Sequence, residues 1–255
     1  MNEKDNFIAV FDSGVGGISV LRHLRRILPE ERFLYFGDSA NAPYGSRPTE
    51  QIRELCFHAA QMLFSQGCKA LVVACNTATS AAIDLLRQKY PEKIIVGIEP
   101  ALKPAADRFP GGYIGVLATE VTLREEKFSR LLTHYAEKSQ VIRLPAPGLV
   151  ELIEQGKADS AESEALLTRI LAPHMDKLDA LVLGCTHYPF ASAVLQRILG
   201  EKAALFDGGE GTARETRRRL DASGLLRSGQ GEIIWQTSGN DPHFPALCQC
   251  LLERK

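Results

Sequence analysis

Short apolar runs alternate along this chain with longer stretches whose apolar positions recur every three or four residues. FIAVF (7–11), RFLYFGD (32–38), ALVVAC (70–75) and KIIVGI (93–98) are β-rich runs of the kind buried on both faces of a sheet. Between them, residues 19–28, 48–66 and 79–90 carry helical spacing, the first stopping before Pro29 and the second at Gly67. The pattern restarts at YIGVLAT (113–119). It continues through a helix over 122–135, a strand over 140–146, helices over 149–155 and 160–175, a strand ALVLGC (180–185), a helix over 190–199 and a strand ALFDGG (204–209). A helix over 211–220 and a weaker strand over 232–239 follow. Apolar strands alternating with helices predict parallel sheets covered on both faces. The restart predicts two α/β units, with the crossover near Pro100–Pro110.

Composition adds little to that picture and removes several alternatives. At 255 residues the chain suffices for one large domain or two ordinary ones. Its 45% hydrophobic and 24% charged residues are those of a folded globular protein. The net charge is −1, and the single basic tract, Arg217-Arg218-Arg219, reads as a solvated helix face rather than a nucleic-acid patch. MNEKDNFIAVFDSG has too short an apolar run for a signal peptide, and no run of about 18 apolar residues exists to span a membrane. The expectation is a cytoplasmic protein with no membrane or nucleic-acid partner. Its six cysteines then sit in a reducing compartment, where a thiol serves packing or chemistry rather than a disulfide.

Two of those thiols stand apart. ALVVACNTAT (70–79) and ALVLGCTHYP (180–189) each open Ala-Leu-Val and end an apolar run in a cysteine, Cys75 and Cys185. Small polar groups follow: Asn76-Thr77 in one, Thr186-His187 in the other. Ligands of open parallel sheets bind beyond the carboxyl ends of strands, and a following helix N-terminus favours a thiolate or a carboxylate. One cysteine in such a place is more often a small buried hydrophobe; two in equivalent places of a repeated unit point to chemistry. Cys56 and Cys68 read as packing. Cys248 and Cys250 have no second pair to make a zinc site, so no metal is expected. The first strand ends in Asp12-Ser13-Gly14-Val15-Gly16-Gly17, which lacks the order of a dinucleotide loop and the lysine of a phosphate loop. Its carboxylate suits an ammonium group. The loop after the second strand, with Tyr44 and Gly45, offers backbone N–H groups and a phenol.

These segments, FDSGVGGISVL (11–21), GDSANAPYGSRP (37–48), ACNTAT (74–79) and LGCTHYPF (183–190), resemble in the same order the cofactor-independent aspartate/glutamate racemase family. The DSGVGG and APYG elements resemble its glutamate branch. The resemblance implies an α/β fold of two doubly wound parallel-sheet domains related by pseudo-two-fold symmetry, with the active site between them. It implies a discontinuous first domain, 1–98 with 208–255, and a second domain, 99–207. It implies cofactor-independent interconversion of L- and D-glutamate, supplying D-glutamate for peptidoglycan, and a homodimer. Cys75 would exchange the α-proton on the D-glutamate side and Cys185 on the L-glutamate side. Asp12, Ser13, Tyr44, Gly45, Asn76, Thr77, Thr186 and His187 match substrate-binding positions; Glu151 matches an auxiliary acid and Thr119 a substrate-contacting threonine. Ala101 to Pro104 and Val121 depart from the family where glycine is common.

The chemistry makes sense of the pair. Inverting a stereocentre by proton transfer needs a base on one face and an acid on the other. A free thiol ionises near pH ~8.5, so help from helix termini or from His187 is expected. Asp12 could orient a thiol or pair with the substrate ammonium. Hydrogen-bond donors on the carboxylate must stabilise the carbanion. Rival readings are an aspartate racemase, a thiol hydrolase using one Cys–His pair, which leaves the second thiol idle, and a non-catalytic binding protein of the same fold.

Overall fold

Every residue of the first strand is buried, so both of its faces must be covered by other elements. In the computed structural model, which describes residues 3–135 and 138–254, helices supply that cover. The elements run β1 (Ile8–Asp12), α1 (Ile18–Ile27), β2 (Arg32–Gly37), α2 (Thr49–Ser65), β3 (Ala70–Val73), α3 (Asn76–Lys89) and β4 (Ile94–Gly97). Next come α4 (Leu102–Arg108), β5 (Tyr113–Ala118), α5 (Glu120–Arg124), α6 (Glu126–Tyr135), β6 (Gln140–Pro145), α7 (Leu149–Glu154), α8 (Ala161–Leu171), β7 (Ala180–Leu183), α9 (Ser192–Leu199) and β8 (Ala204–Asp207). The chain ends with α10 (Gly209–Ala222), β9 (Glu232–Thr237) and α11 (Phe244–Glu253).

Two compact units result: Met1–Ile98 with Gly209–Lys255, and Glu99–Gly208. Residues 1–2 and 255 of the expected first domain, and 136–137 of the expected second, lie outside the described residues. The first unit holds a parallel sheet in the order β4-β3-β1-β2-β9. The second holds a parallel sheet in the order β6-β5-β7-β8. Without β9 the two orders are the same. In each unit the first strand has the second on one side and the third on the other, so the winding reverses between first and third strands. Such a reversal opens a crevice at the strands' carboxyl ends, where ligands bind. Asp12 and Cys75 flank that point in the first unit, and Thr119 and Cys185 flank it in the second.

The first unit is closed by the returning segment. Lys69 and Glu31 form a fully buried ion pair, Nζ to Oε2 2.6 Å. Lys69 also donates to the carbonyls of Lys4 and Leu225, and Glu31 accepts from the Arg227 backbone N–H. Removing one partner would strand a buried charge, at a cost of about 3–5 kcal/mol. In the second unit, Leu102, Ala105 and Ala106 of α4 pack with Ile114, Val116 and Phe128.

Several elements differ from expectation. The helix predicted over 122–135 is two, because Glu125 is extended (ψ 143°) between α5 and α6. The helix predicted over 160–175 ends at Leu171, since Pro173 has no N–H to continue it. The helix predicted over 190–199 begins as a 3₁₀ turn, Tyr188–Ala191, and becomes α-helical at Ser192.

Candidate active site

The candidate site of the first unit is built on three strand ends. Asp12 closes β1, fully buried, and its Oδ1 accepts from the Gly14 N–H at 2.8 Å, which fixes the turn. A side chain at Gly17 would come within 2.8 Å of Asp12 Cβ, so only glycine lets α1 start so close to that carboxylate. Two residues beyond β3, Cys75 is the N-cap of α3, and its Sγ accepts from the Ala78 N–H at 3.5 Å. Ser13 Oγ lies 3.7 Å from the same sulfur. Asn76 and Thr77, the first residues of α3, are 97% buried. Among the described residues, both amide atoms of Asn76 are buried without a hydrogen-bond partner. A buried amide left unpaired costs about 1–3 kcal/mol, which a ligand would recover.

Tyr44 opens the 3₁₀ turn Tyr44–Ser46 that carries Gly45. Its hydroxyl donates to Asp38 Oδ2 at 2.6 Å, and its ring meets Phe11 edge-on. Burial, then neighbouring Cys56, then the bond to Asp38 push the phenol far above its ordinary range, so it stays neutral. Beside it, burial holds the Cys56 thiol protonated, with Cys75 and Asp38 adding to the effect.

The candidate site of the second unit is different. Gly184 donates its N–H to the Leu117 carbonyl, and Cys185, Thr186 and His187 follow, all buried. No α-helix begins at Cys185; a turn and the 3₁₀ segment intervene before α9, so the helix N-terminus expected near this thiol begins only at Ser192. Instead, His187 Nδ1 lies 3.8 Å from Cys185 Sγ, and His187 Nε2 lies 2.9 Å from Glu154 Oε1. A carboxylate accepting from Nε2–H leaves Nδ1 facing the thiol as proton acceptor. The carboxylate that reaches His187 is therefore Glu154, at the end of α7, rather than Glu151 one turn earlier. Glu151 is exposed; with burial and Cys185, it helps hold the Tyr188 phenol neutral. Thr119 ends β5 and caps α5, accepting from the Thr122 N–H at 3.3 Å.

Sequence reasoning therefore placed the thiols and their neighbours and missed Glu154 and Asp38. Asp38 lay inside the quoted GDSANAPYG segment without a role, and nothing in a six-residue helix separates Glu154 from Glu151 in advance. Among the described residues, no three His, Cys, Asp or Glu side chains are gathered as a metal site requires.

Fold and site define a duplicated, doubly wound α/β protein with a strand-end thiol at each switch point. The chain matches the Asp/Glu/hydantoin racemase family model over residues 16–216, and it belongs to that family. It is 49% identical over 255 residues to the glutamate racemase of Clostridium perfringens (strain SM101 / Type A), covering 99% of this chain and 98% of that one. Its structure is similar to that of glutamate racemase from Thermus thermophilus in complex with beta-chloro-D-alanine. There the TM-score is 0.84 at 37% identity, over 98% of this chain and 94% of that chain. It is also similar to Escherichia coli glutamate racemase in complex with L-glutamate and the activator UDP-MurNAc-ala. There the TM-score is 0.84 at 31% identity, over 96% and 95% of the chains.

Proposed function

We propose that this protein interconverts L- and D-glutamate by proton transfer at Cα, with Cys75 and Cys185 serving opposite faces of one substrate and no cofactor taking part. The observation that carries this reading is the pair of buried thiols at equivalent strand ends, each beside a group able to favour its thiolate. Starting from L-glutamate, the Cys185 thiolate takes the α-proton and Cys75 delivers its own proton to the other face. Starting from D-glutamate, the roles exchange. The carbanion between the two steps carries its charge into the carboxylate, where hydrogen-bond donors must meet it. Asn76, with both amide atoms unpaired, is the donor with the most to gain. Ser13, Thr77, Thr186 and the backbone at Tyr44-Gly45 complete the set, and Asp12 holds the ammonium group.

In this reading the product D-glutamate feeds peptidoglycan synthesis and hence cell shape, and the enzyme works in the cytoplasm as a homodimer. Among the described residues no helix is long and apolar enough to cross a membrane. The test is polarimetric: purified protein, without added cofactor, is given L-glutamate, D-glutamate or L-aspartate. Loss of optical rotation from both glutamates to the racemate is the expected result. Turnover of aspartate alone, or none, would overturn the assignment.

A further inference from the structure

The loop that carries Tyr44 and Gly45 is held from an unexpected direction. Asp38, buried at the end of β2, accepts from the Tyr44 hydroxyl at 2.6 Å and from Asn41 Nδ2 at 3.0 and 3.2 Å. Its remaining donor comes from about 200 residues away in sequence: Ser238 Oγ, 2.5 Å from Asp38 Oδ1. The same hydroxyl accepts from the Ala40 N–H at 3.1 Å. One residue earlier, Thr237 Oγ1 lies 2.5 Å from Ser39 Oγ, and one residue later a side chain at Gly239 would strike Ser39 Oγ. The Ser238 N–H donates to the Gly37 carbonyl, continuing the β2–β9 pairing one step past the strand. Arg47 closes the loop by donating to the Asn41 carbonyl at 2.6 Å.

Simple closure of the sheet needs none of these side-chain bonds, because the β2–β9 ladder already spans Arg32 to Gly37. The three hydroxyl ties that cross to residues 38–40 fall on the loop, not on the strand, and the Thr237 hydroxyl also accepts from the Gly239 N–H at 3.2 Å. We propose that Thr237-Ser238-Gly239 is a clamp that positions the substrate-binding loop, with Ser238 acting through Asp38 on Tyr44 and Gly45. Ser238 is a positioning residue: it touches no reacting atom. The proposal rests on the reading that Tyr44 and Gly45 bind glutamate. In it, the returning C-terminal segment sets affinity as well as completing the first unit.

The test removes the hydroxyls and keeps the backbone, with Thr237→Val and Ser238→Ala combined. Amide hydrogen exchange and steady-state kinetics are read on the whole protein. The expected result is exchange about tenfold faster or more at residues 39–47, with β1, β3 and α3 unchanged. KM for both enantiomers rises about fivefold while kcat stays within about twofold, as loss of binding rather than of chemistry requires. Thr237→Ser with Ser238→Thr, which keeps both hydroxyls, restores both readouts. Unchanged exchange in the loop, unchanged KM, or faster exchange across the whole unit with a lowered Tm would each overturn the clamp. A wild-type protein that does not turn over glutamate would overturn the functional reading, while the exchange pattern would still decide whether the clamp exists.

Discussion

Cys75 and Cys185 end equivalent strands of equivalent sheets, yet their surroundings are unlike. Cys75 caps a 14-residue helix, with a backbone N–H at 3.5 Å and a serine hydroxyl at 3.7 Å from its sulfur. The N–H is a fixed dipole that favours a thiolate without accepting its proton, by about 0.3–1 kcal/mol for a helix terminus at a surface and up to ~2 when partly buried, and the hydroxyl can turn to donate to that thiolate. Cys185 has no α-helix at its sulfur and has His187 at 3.8 Å, held by Glu154 at 2.9 Å. An imidazole can take a proton and carry charge, and a carboxylate behind it steadies that charge. One topology thus supports two routes to a reactive thiol, a static one and a titrating one. The duplicated fold fixes which strand end each sulfur occupies, and the local turn decides which groups it meets.

The harshest way to break the comparison is to remove one sulfur. Cys75→Ala and Cys185→Ala are each expected to lower racemisation by about 10⁴-fold, the upper range for an acid–base group. A variant that retained most activity in a polarimetric assay would show that the two sites are not partners. Next is Asn76→Ala, expected to cost about 10²-fold in kcat as loss of one preorganised donor. A change in KM alone would move Asn76 from carbanion stabilisation to plain binding.

Glu154→Gln separates the two thiol environments directly. Its expected cost is roughly tenfold in kcat/KM, the value of one hydrogen bond to a charged group. Enantiomers are equal in free energy, so kcat/KM must fall equally in both directions. With Cys185 proposed as the base for L-glutamate, the asymmetry is expected instead in the α-deuterium isotope effect, which rises for L-glutamate and not for D-glutamate. Ser13→Ala is the mirror experiment on Cys75, expected to cost about fivefold, with the isotope effect rising for D-glutamate. Equal changes of the isotope effect in both directions for both variants would erase the distinction drawn here.

The mildest probe is alkylation at pH 8 read by mass spectrometry. Burial pushes Cys68 up to about 11 and, with Asp12 nearby, Cys248 up to about 12; burial, with Cys75 and Asp38 nearby, also raises Cys56 well above the ordinary thiol range. Raised values mean neutral thiols at pH 8, so these three stay unlabelled while exposed Cys250 reacts. Glutamate is expected to slow labelling of Cys75 and Cys185 and to leave Cys250 unaffected.

Much of this was legible in the sequence for a physical reason. The strands that carry the thiols, β3 and β7, are fully buried and parallel, so each reads as an unbroken apolar run, and the thiols sit where those runs end. Elements written in fewer or mixed residues were not legible. α4 hides behind Pro100, Pro104 and Pro110, yet Pro104 falls in its first turn, where its missing N–H costs nothing. α11 reads as a cysteine pair, though Phe244, Cys248 and Leu252 form a buried stripe at four-residue spacing and Cys250 faces out. The repeat at 70–79 and 180–189 made the two cysteines look alike, because strand ends are encoded locally. Their partners, Ser13 and Glu154, are 62 and 31 residues away and are chosen by tertiary packing. The same holds for Ser238 at Asp38.

The claim that two thiols act on opposite faces of one carbon is tested most directly by early-time racemisation in deuterium oxide. L-Glutamate is converted to a few per cent of product, and each enantiomer is isolated and weighed for deuterium at Cα. Two bases on opposite faces predict D-glutamate fully deuterated and residual L-glutamate still carrying protium, with the reverse from D-glutamate. Product that retains protium, or substrate deuterated as fast as product forms, would mean that one base serves both faces and would contradict the account.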